Sequence, residues 1–241
     1  MKDALYIHIY TLYIIRQQGF TRQDLYIATQ GPKRNTVVDF WNMILEQNSS
    51  VIVCLTNLIE GGRVKCFQYW PNVGEMLHFD ELTLMTLDEV HTNNGECVIR
   101  KIEITKDDDT PAKVIRQFHH TSWPDHGVPN SPKTLLGKQD EKTRMANRPV
   151  ASEYRLDLCI SLNGIIASPS NSSNDNRDSM DEPDRPIVMH CSAGVGRTGT
   201  LLAVSFIIRD IAEKGADEVD VALVVKHLRE QRPKMVQSIV S

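Results

Sequence analysis

The stretch Pro186-Ile187-Val188-Met189-His190-Cys191-Ser192-Ala193-Gly194-Val195-Gly196-Arg197-Thr198-Gly199 passes from an apolar run through a glycine-rich turn into a helical pattern. Pro186 to Met189 reads as a strand. From about Arg197 to Glu213 the apolar residues Leu201, Val204, Ile208 and Ile211 share one helix face, and Gly215 supplies a terminator. A strand, a tight turn and a helix in direct succession point to an α/β or α+β protein. Two chemistries compete for the turn. Gly194, Gly196 and Gly199 satisfy the G-x-G-x-x-G pattern of dinucleotide sites, with Asp217 and Glu218 near the place of a ribose-binding acid. In the other reading, Cys191 and Arg197 bracket five residues that curl into a cup of inward N–H groups at a helix N-terminus. A phosphate monoester would be held there by backbone donors and by the guanidinium fork of Arg197, above the Cys191 sulfur. Cysteines in such surroundings favour the thiolate. This second reading employs the cysteine and the arginine, which a nucleotide loop leaves idle. The plainer alternative for Cys191 is a buried, inert thiol.

Composition bounds the rest. The chain has 241 residues with 27 Lys and Arg against 31 Asp and Glu, a net charge of −4. That balance argues against a general nucleic-acid binder, which needs a surplus of cations. It does not oppose a phosphate site assembled locally from N–H groups and one arginine. Five cysteines, Cys54, Cys66, Cys97, Cys159 and Cys191, form an odd set with no C-x-x-C spacing. Neither a disulfide framework nor a zinc site is expected, and a reducing compartment is favoured. The chain has no apolar run of about 18 residues, so no transmembrane segment is predicted. Leu5 to Ile15 reads as a buried strand or helix rather than a signal peptide.

Upstream, Val37, Phe40, Trp41 and Ile44 repeat at helical spacing behind a cap at Asn35 or Thr36, and Val51 to Leu55 reads as a buried strand. Residues 64–69, 96–104 and 112–120 lean towards β structure. A last helix is expected from about Asp217 to Gln231, with Val221, Val224, Val225 and Leu228 inward and Pro233 just beyond. Ser168 to Arg185 holds five Ser, three Asn, four Asp and two Pro with one apolar side chain, Met180, and is expected to be a mobile loop.

Attack by Cys191 requires a proton for the departing oxygen, and a loop carboxylic acid can supply it. Trp123-Pro124-Asp125-His126-Gly127-Val128-Pro129 offers Asp125 on a loop shaped by two prolines and a glycine and anchored by Trp123. Taken alone, Asp125 is equally an ordinary turn aspartate.

These residues together resemble the classical protein tyrosine phosphatases. His190-Cys191 through Gly199 is similar to their signature loop, and Trp123-Pro124-Asp125 to their mobile acid loop. Tyr26-Ile27-Ala28-Thr29-Gln30-Gly31-Pro32, Lys65-Cys66-Phe67-Gln68-Tyr69-Trp70-Pro71 and Arg232-Pro233-Lys234-Met235-Val236-Gln237-Ser238 also fit, in family order. The wording is most like receptor-type members. The resemblance implies an α/β fold: a twisted mixed β-sheet flanked by helices on both faces, with the phosphate-binding loop between a strand and a helix. It implies hydrolysis of phosphotyrosine in proteins through a phosphocysteine. Cys191 would be the nucleophile, and Asp125 acid and then base. Gln237 would position the water, and Thr198 would stabilise the leaving sulfur. Arg197 would clamp the phosphate together with the loop Ser192, Ala193, Gly194, Val195 and Gly196. Glu60 matches the acid that orients the loop arginine, and Lys65 the lysine that meets the closed acid loop; otherwise both belong to a solvated hairpin. His190 would tune the nucleophile through hydrogen bonding. Neither metal nor cofactor is implied, the partners are phosphotyrosine proteins, and the location is cytoplasmic, as in the cytoplasmic part of a membrane receptor.

Three departures from the family pattern generate expectations. Residues 1–20 are unmatched, and 21–241 form the phosphatase domain without the segment that recognises the phosphotyrosine ring. The chain stops at Ser241, before the family's final helix. Asp125 and Cys191 stand 191 − 125 = 66 positions apart, roughly twice the family interval, with an insertion or mobile loop over 138–185 that is regulatory or an annotation artefact. The alternative function is therefore a catalytically impaired, phosphotyrosine-binding pseudophosphatase.

Overall fold

A computed structural model describes residues 13–16, 25–79, 81–91, 97–106, 111–123, 185–215 and 219–237. Ten strands are described: β1 (Tyr13–Arg16), β2 (Leu25–Gln30), β3 (Val51–Cys54), β4 (Ile59–Glu60), β5 (Arg63–Val64), β6 (Met76–Phe79), β7 (Leu82–His91), β8 (Cys97–Lys106), β9 (Lys113–His120) and β10 (Ile187–Cys191). The helices are α1 (Val37–Glu46), α2 (Arg197–Lys214) and α3 (Val221–Gln231). Eight strands form one mixed sheet in the order β1-β2-β10-β3-β9-β8-β7-β6, and β4 and β5 make a separate hairpin. Strands β2, β10, β3 and β9 run parallel, and the remaining pairings are antiparallel.

The parallel centre explains the unbroken apolar runs in β3 and β10. Every residue of Val51–Cys54 and of Ile187–Cys191 is buried, because both sheet faces are covered. Alternation then sorts the side chains. Tyr26, Ala28, Val51, Val53, Ile187, Met189 and Cys191 join a core with Leu201, Leu202 and Phe206 of α2 and Val224 and Leu228 of α3. Ile27, Ile52 and Val188 face the other way, onto Phe40, Trp41 and Ile44 of α1. Helices therefore cover both faces, as expected of this fold.

Some local expectations change. Of residues 64–69 only Val64 lies in a strand. The backbone beyond it is drawn elsewhere: the Lys65 N–H donates to the Leu58 carbonyl at 2.8 Å, and that of Phe67 to Pro32 at 2.9 Å. Helix α3 begins at Val221, where the Asp220 carboxylate accepts the Leu223 N–H at 3.1 Å. Val221 is exposed rather than inward, and Val224 and Leu228 form the buried face. Strands β2, β6 and β7 carry no expectation from periodicity. Gly215 does end α2, with its N–H donating to Ile211. Of Leu5 to Ile15, only 13–15 fall within the described residues, in β1. The mobile loop expected over Ser168–Arg185 lies outside them except for Arg185.

Candidate active site

The carboxyl ends of the parallel strands converge, the position where α/β sheets bind ligands. Gly31 follows β2, Thr56 and the β4–β5 hairpin follow β3, Trp123 follows β9, and the Cys191 loop follows β10. The loop occupies Ser192 to Gly196 and feeds directly into α2 at Arg197.

Its carbonyls are tied down on the outside. The Ser192 carbonyl accepts the Gly31 N–H at 3.0 Å, and the Val195 carbonyl accepts the Val236 N–H at 3.0 Å. The Ala193 carbonyl accepts Arg232 Nη2 at 3.0 Å. The Gly196 carbonyl accepts the Thr200 N–H at 2.9 Å. In a trans peptide the N–H of the next residue points opposite to the carbonyl. The amides of Ala193, Gly194, Gly196 and Arg197 are therefore turned into the cup. Gly194 displays this directly, donating its N–H to Cys191 Sγ at 3.2 Å.

Glycine is required at two of these positions. Gly194 has φ +70, and a Cβ there would overlap the Thr29 carbonyl. A Cβ on Gly199 would collide with the Val236 backbone, so the first turn of α2 is closed off by the Arg232–Gln237 segment. Gly199 thus serves a close chain approach, and the nucleotide reading of the three glycines loses its support.

Arg197, which is buried, is held in a fork. Nη1 donates to Glu60 Oε1 at 2.6 Å and Nη2 to Oε2 at 2.9 Å. Nη2 also reaches Thr56 Oγ1 at 3.2 Å, and Nη1 the Trp123 carbonyl at 3.3 Å. Glu60 further accepts the Asn57 N–H and the Thr56 hydroxyl, each at 3.1 Å. Burial alone would push its carboxyl up. The Arg197 bonds and charge, with the Asn57 and Thr56 donors, outweigh burial and hold it below the ordinary carboxylate value.

The other expected site residues fall around this centre. Trp123 is buried just beyond the end of β9, and Asp125, the expected acid, lies outside the described residues. Lys65 offers its carbonyl to the Ser192 hydroxyl at 3.0 Å. Gln237 lies over the loop, its Oε1 3.5 Å from where a Cβ on Gly196 would sit. Thr198 is fully buried, and its hydroxyl has no hydrogen-bond partner among the described residues. His190 is buried, with Nε2 2.8 Å from the Tyr69 hydroxyl and Nδ1 3.1 Å from the Cys191 carbonyl. Burial lowers its pKa to about 4, against the raising effect of the Cys191 carbonyl. Three further thiols are driven away from ionisation. Burial pushes Cys54 up to about 12, Cys97 up to about 11, and Cys66 upward as well. Cys159 lies outside the described residues. Among the described residues, no group of three or more His, Cys, Asp and Glu side chains could hold a metal ion.

Two contributors carried no role in the sequence reading. Arg232, buried, donates Nη1 to the Ala28 carbonyl at 2.7 Å and Nη2 to Ala193, bridging β2 and the loop. Thr56 bridges Glu60 and Arg197. Arg232 did stand inside a family-like stretch, which was a usable signal, whereas nothing in the sequence around Thr56 marks it.

A buried thiol beneath a cup of amides, closed by a carboxylate-held arginine, sits at the strand ends of an α/β domain, an arrangement whose donors match a tetrahedral oxyanion. The chain belongs to the protein-tyrosine phosphatase family, whose model matches residues 1–240. It is 37% identical over 220 residues to receptor-type tyrosine-protein phosphatase eta of Gallus gallus, covering 91% of this chain and 13% of that protein. The human eta protein is 36% identical over 222 residues, 91% of this chain and 14% of the relative. Receptor-type tyrosine-protein phosphatase N2 of Macaca nemestrina is 35% identical over 218 residues, 90% and 18% respectively. The chain thus spans less than a fifth of the length of these curated relatives.

Proposed function

We propose that this chain hydrolyses phosphotyrosine in proteins through a phosphocysteine. The observation that carries the proposal is the outward tethering of four loop carbonyls, which turns a ring of N–H donors onto the space above Cys191. Three phosphate oxygens meet those donors and the Arg197 guanidinium, so charge developing at phosphorus is matched by dipoles and a cation already in place. Cys191 Sγ forms a bond to phosphorus as the bond to the tyrosine oxygen breaks, and Asp125 gives that oxygen its proton. Water then attacks the phosphocysteine, Asp125 takes the water's proton, Gln237 orients the water, and the sulfur leaves as thiolate beside the Thr198 hydroxyl. Splitting the displacement in this way replaces one difficult step by two easier ones. His190 supports the thiolate through the Cys191 backbone, and Lys65 meets the acid loop. The substrates are phosphotyrosine proteins in the cytoplasm, reached by the chain as part of a receptor-type protein.

The test is hydrolysis of an aryl phosphate by the whole chain. Cys191→Ser is expected to abolish turnover, and Asp125→Ala to slow it by about 10²–10⁴, the usual contribution of general acid catalysis, while retaining substrate binding. A folded chain that binds a phosphotyrosine peptide and does not turn it over would establish the pseudophosphatase instead.

A further inference from the structure

Beneath the loop, on the α1 side of the sheet, lies a buried polar chain of which the steps above use only His190. Arg100 on β8 is at its origin. Its Nε donates to Glu89 Oε2 at 2.6 Å, and its guanidinium stacks over Trp70 at 4.7 Å. Its Nη1 lies 3.0 Å from Gln117 Oε1 and 3.2 Å from His119 Nδ1. Gln117 Nε2 lies 2.8 Å from the Tyr69 hydroxyl, which lies 2.8 Å from His190 Nε2. His119 Nε2 reaches the Thr56 carbonyl at 2.9 Å. Arg100, Gln117, His119, Tyr69, His190 and Thr56 are all buried.

A guanidinium has only donors. Both groups facing Arg100 Nη1 must therefore accept. His119 accepts at Nδ1, carries its proton on Nε2, and donates to the Thr56 carbonyl. Gln117 accepts at Oε1 and donates from Nε2 to Tyr69. The Tyr69 hydroxyl, already accepting, donates to His190 Nε2, which leaves the His190 proton on Nδ1, facing the Cys191 carbonyl. The opposite tautomer of His190 would strand the Tyr69 proton and set a ring lone pair against that carbonyl. Both imidazoles are neutral, as single tautomers require: burial lowers each pKa to about 4.

We infer that Arg100 is a positioning residue for the active site, setting the donor direction of two hydrogen-bond chains that end on the Cys191 and Thr56 carbonyls. One branch holds the residue that bears the nucleophile, and the other holds the threonine that touches Glu60 and Arg197. The inference deepens the phosphatase reading and rests on it only for the effect on turnover, since the proton positions are properties of the resting protein.

Nitrogen-15 NMR of the histidine side chains in the whole chain, with no substrate present, reads the tautomers. His190 protonated on Nδ1 and His119 on Nε2 are expected; His190 protonated on Nε2 overturns the inference. Gln117→Leu severs one branch only. It is expected to release the His190 tautomer, leave that of His119 unchanged, and lower kcat for an aryl phosphate about tenfold, the scale of one lost hydrogen bond, with KM little altered. Arg100→Met should disturb both tautomers, and Arg100→Lys should restore part of kcat. If Arg100→Met does not fold, Gln117→Leu decides. A folded Gln117→Leu chain with unchanged tautomers and kcat refutes the inference. A wild-type chain inert towards aryl phosphate but carrying the expected tautomers refutes the catalytic reading alone.

Discussion

At the residue scale, the contrast among cysteines shows how position selects chemistry. Cys54, Cys66 and Cys97 sit where burial penalises the thiolate, whereas the Cys191 sulfur receives an N–H from Gly194. Gly194 in turn is held at a φ that L side chains rarely adopt, directly against the Thr29 carbonyl. Gly194→Ala should therefore cost at least about 1–2 kcal/mol from the left-handed backbone alone, before the overlap is counted. Denaturant unfolding and aryl phosphate turnover check this together: a stable, active Gly194→Ala chain would mean that the loop reshapes freely. The importance of Cys191, Arg197 and the glycines was legible because the strand, loop and helix lie consecutively. Glu60 was legible only through the family pattern, because it comes from a hairpin 137 positions away from Arg197.

At the element scale, the loop owes its shape to segments distant in sequence. Gly31 after β2, Arg232 after α3 and Val236 each hold one of its carbonyls. Arg232→Met keeps much of the side-chain bulk but leaves the Ala28 and Ala193 carbonyls without their donor. Such unsatisfied buried groups cost about 1–3 kcal/mol. Lower thermal stability is expected together with a higher KM, since the Ala193–Gly194 peptide is released to rotate; a variant that loses stability with unchanged KM would make Arg232 purely structural. The hairpin of β4 and β5 illustrates why local pattern misleads. Residues 65–69 look β-leaning, yet their backbone bonds go to Leu58 and Pro32, partners that no periodicity reveals. Helix α1, by contrast, was readable because Val37, Phe40, Trp41 and Ile44 pack on a single face.

At the scale of the whole molecule, two neutral histidines buried under the sheet tie stability to pH. His119 and His190 have folded pKa values near 4 against an ordinary 6.5, so the unfolded chain binds protons first. Their contribution is fully present above about pH 6.5 and is lost as pH falls through about 4. Glu60, held below its ordinary 4.5, acts in the same sense further into acid: its contribution is present above 4.5 and is lost at lower pH. The melting temperature should fall steadily from pH 6.5 to pH 4, and a flat profile across that window would contradict the buried neutral assignment. His119 and His190, far apart in the chain, are buried together because β3, β9 and β10 set them in register on either side of Cys54.

The sequence by itself determined the strand–loop–helix unit, the cysteine and arginine at the ends of its loop, and the helix–strand course from Val37 to Cys54. Each of these rests on contacts within a few positions along the chain, where spacing alone fixes which side chains share a face. Only the tertiary structure decided which distant groups tether the loop carbonyls, that Thr56 and the Trp123 carbonyl join Glu60 on Arg197, and that Arg100 governs the protons of His119 and His190. Those outcomes depend on parallel strands brought together by crossovers and on buried donors finding acceptors up to 204 positions away. Such pairings leave no periodic trace in the sequence, because a buried polar group is satisfied by whichever partner the fold places beside it.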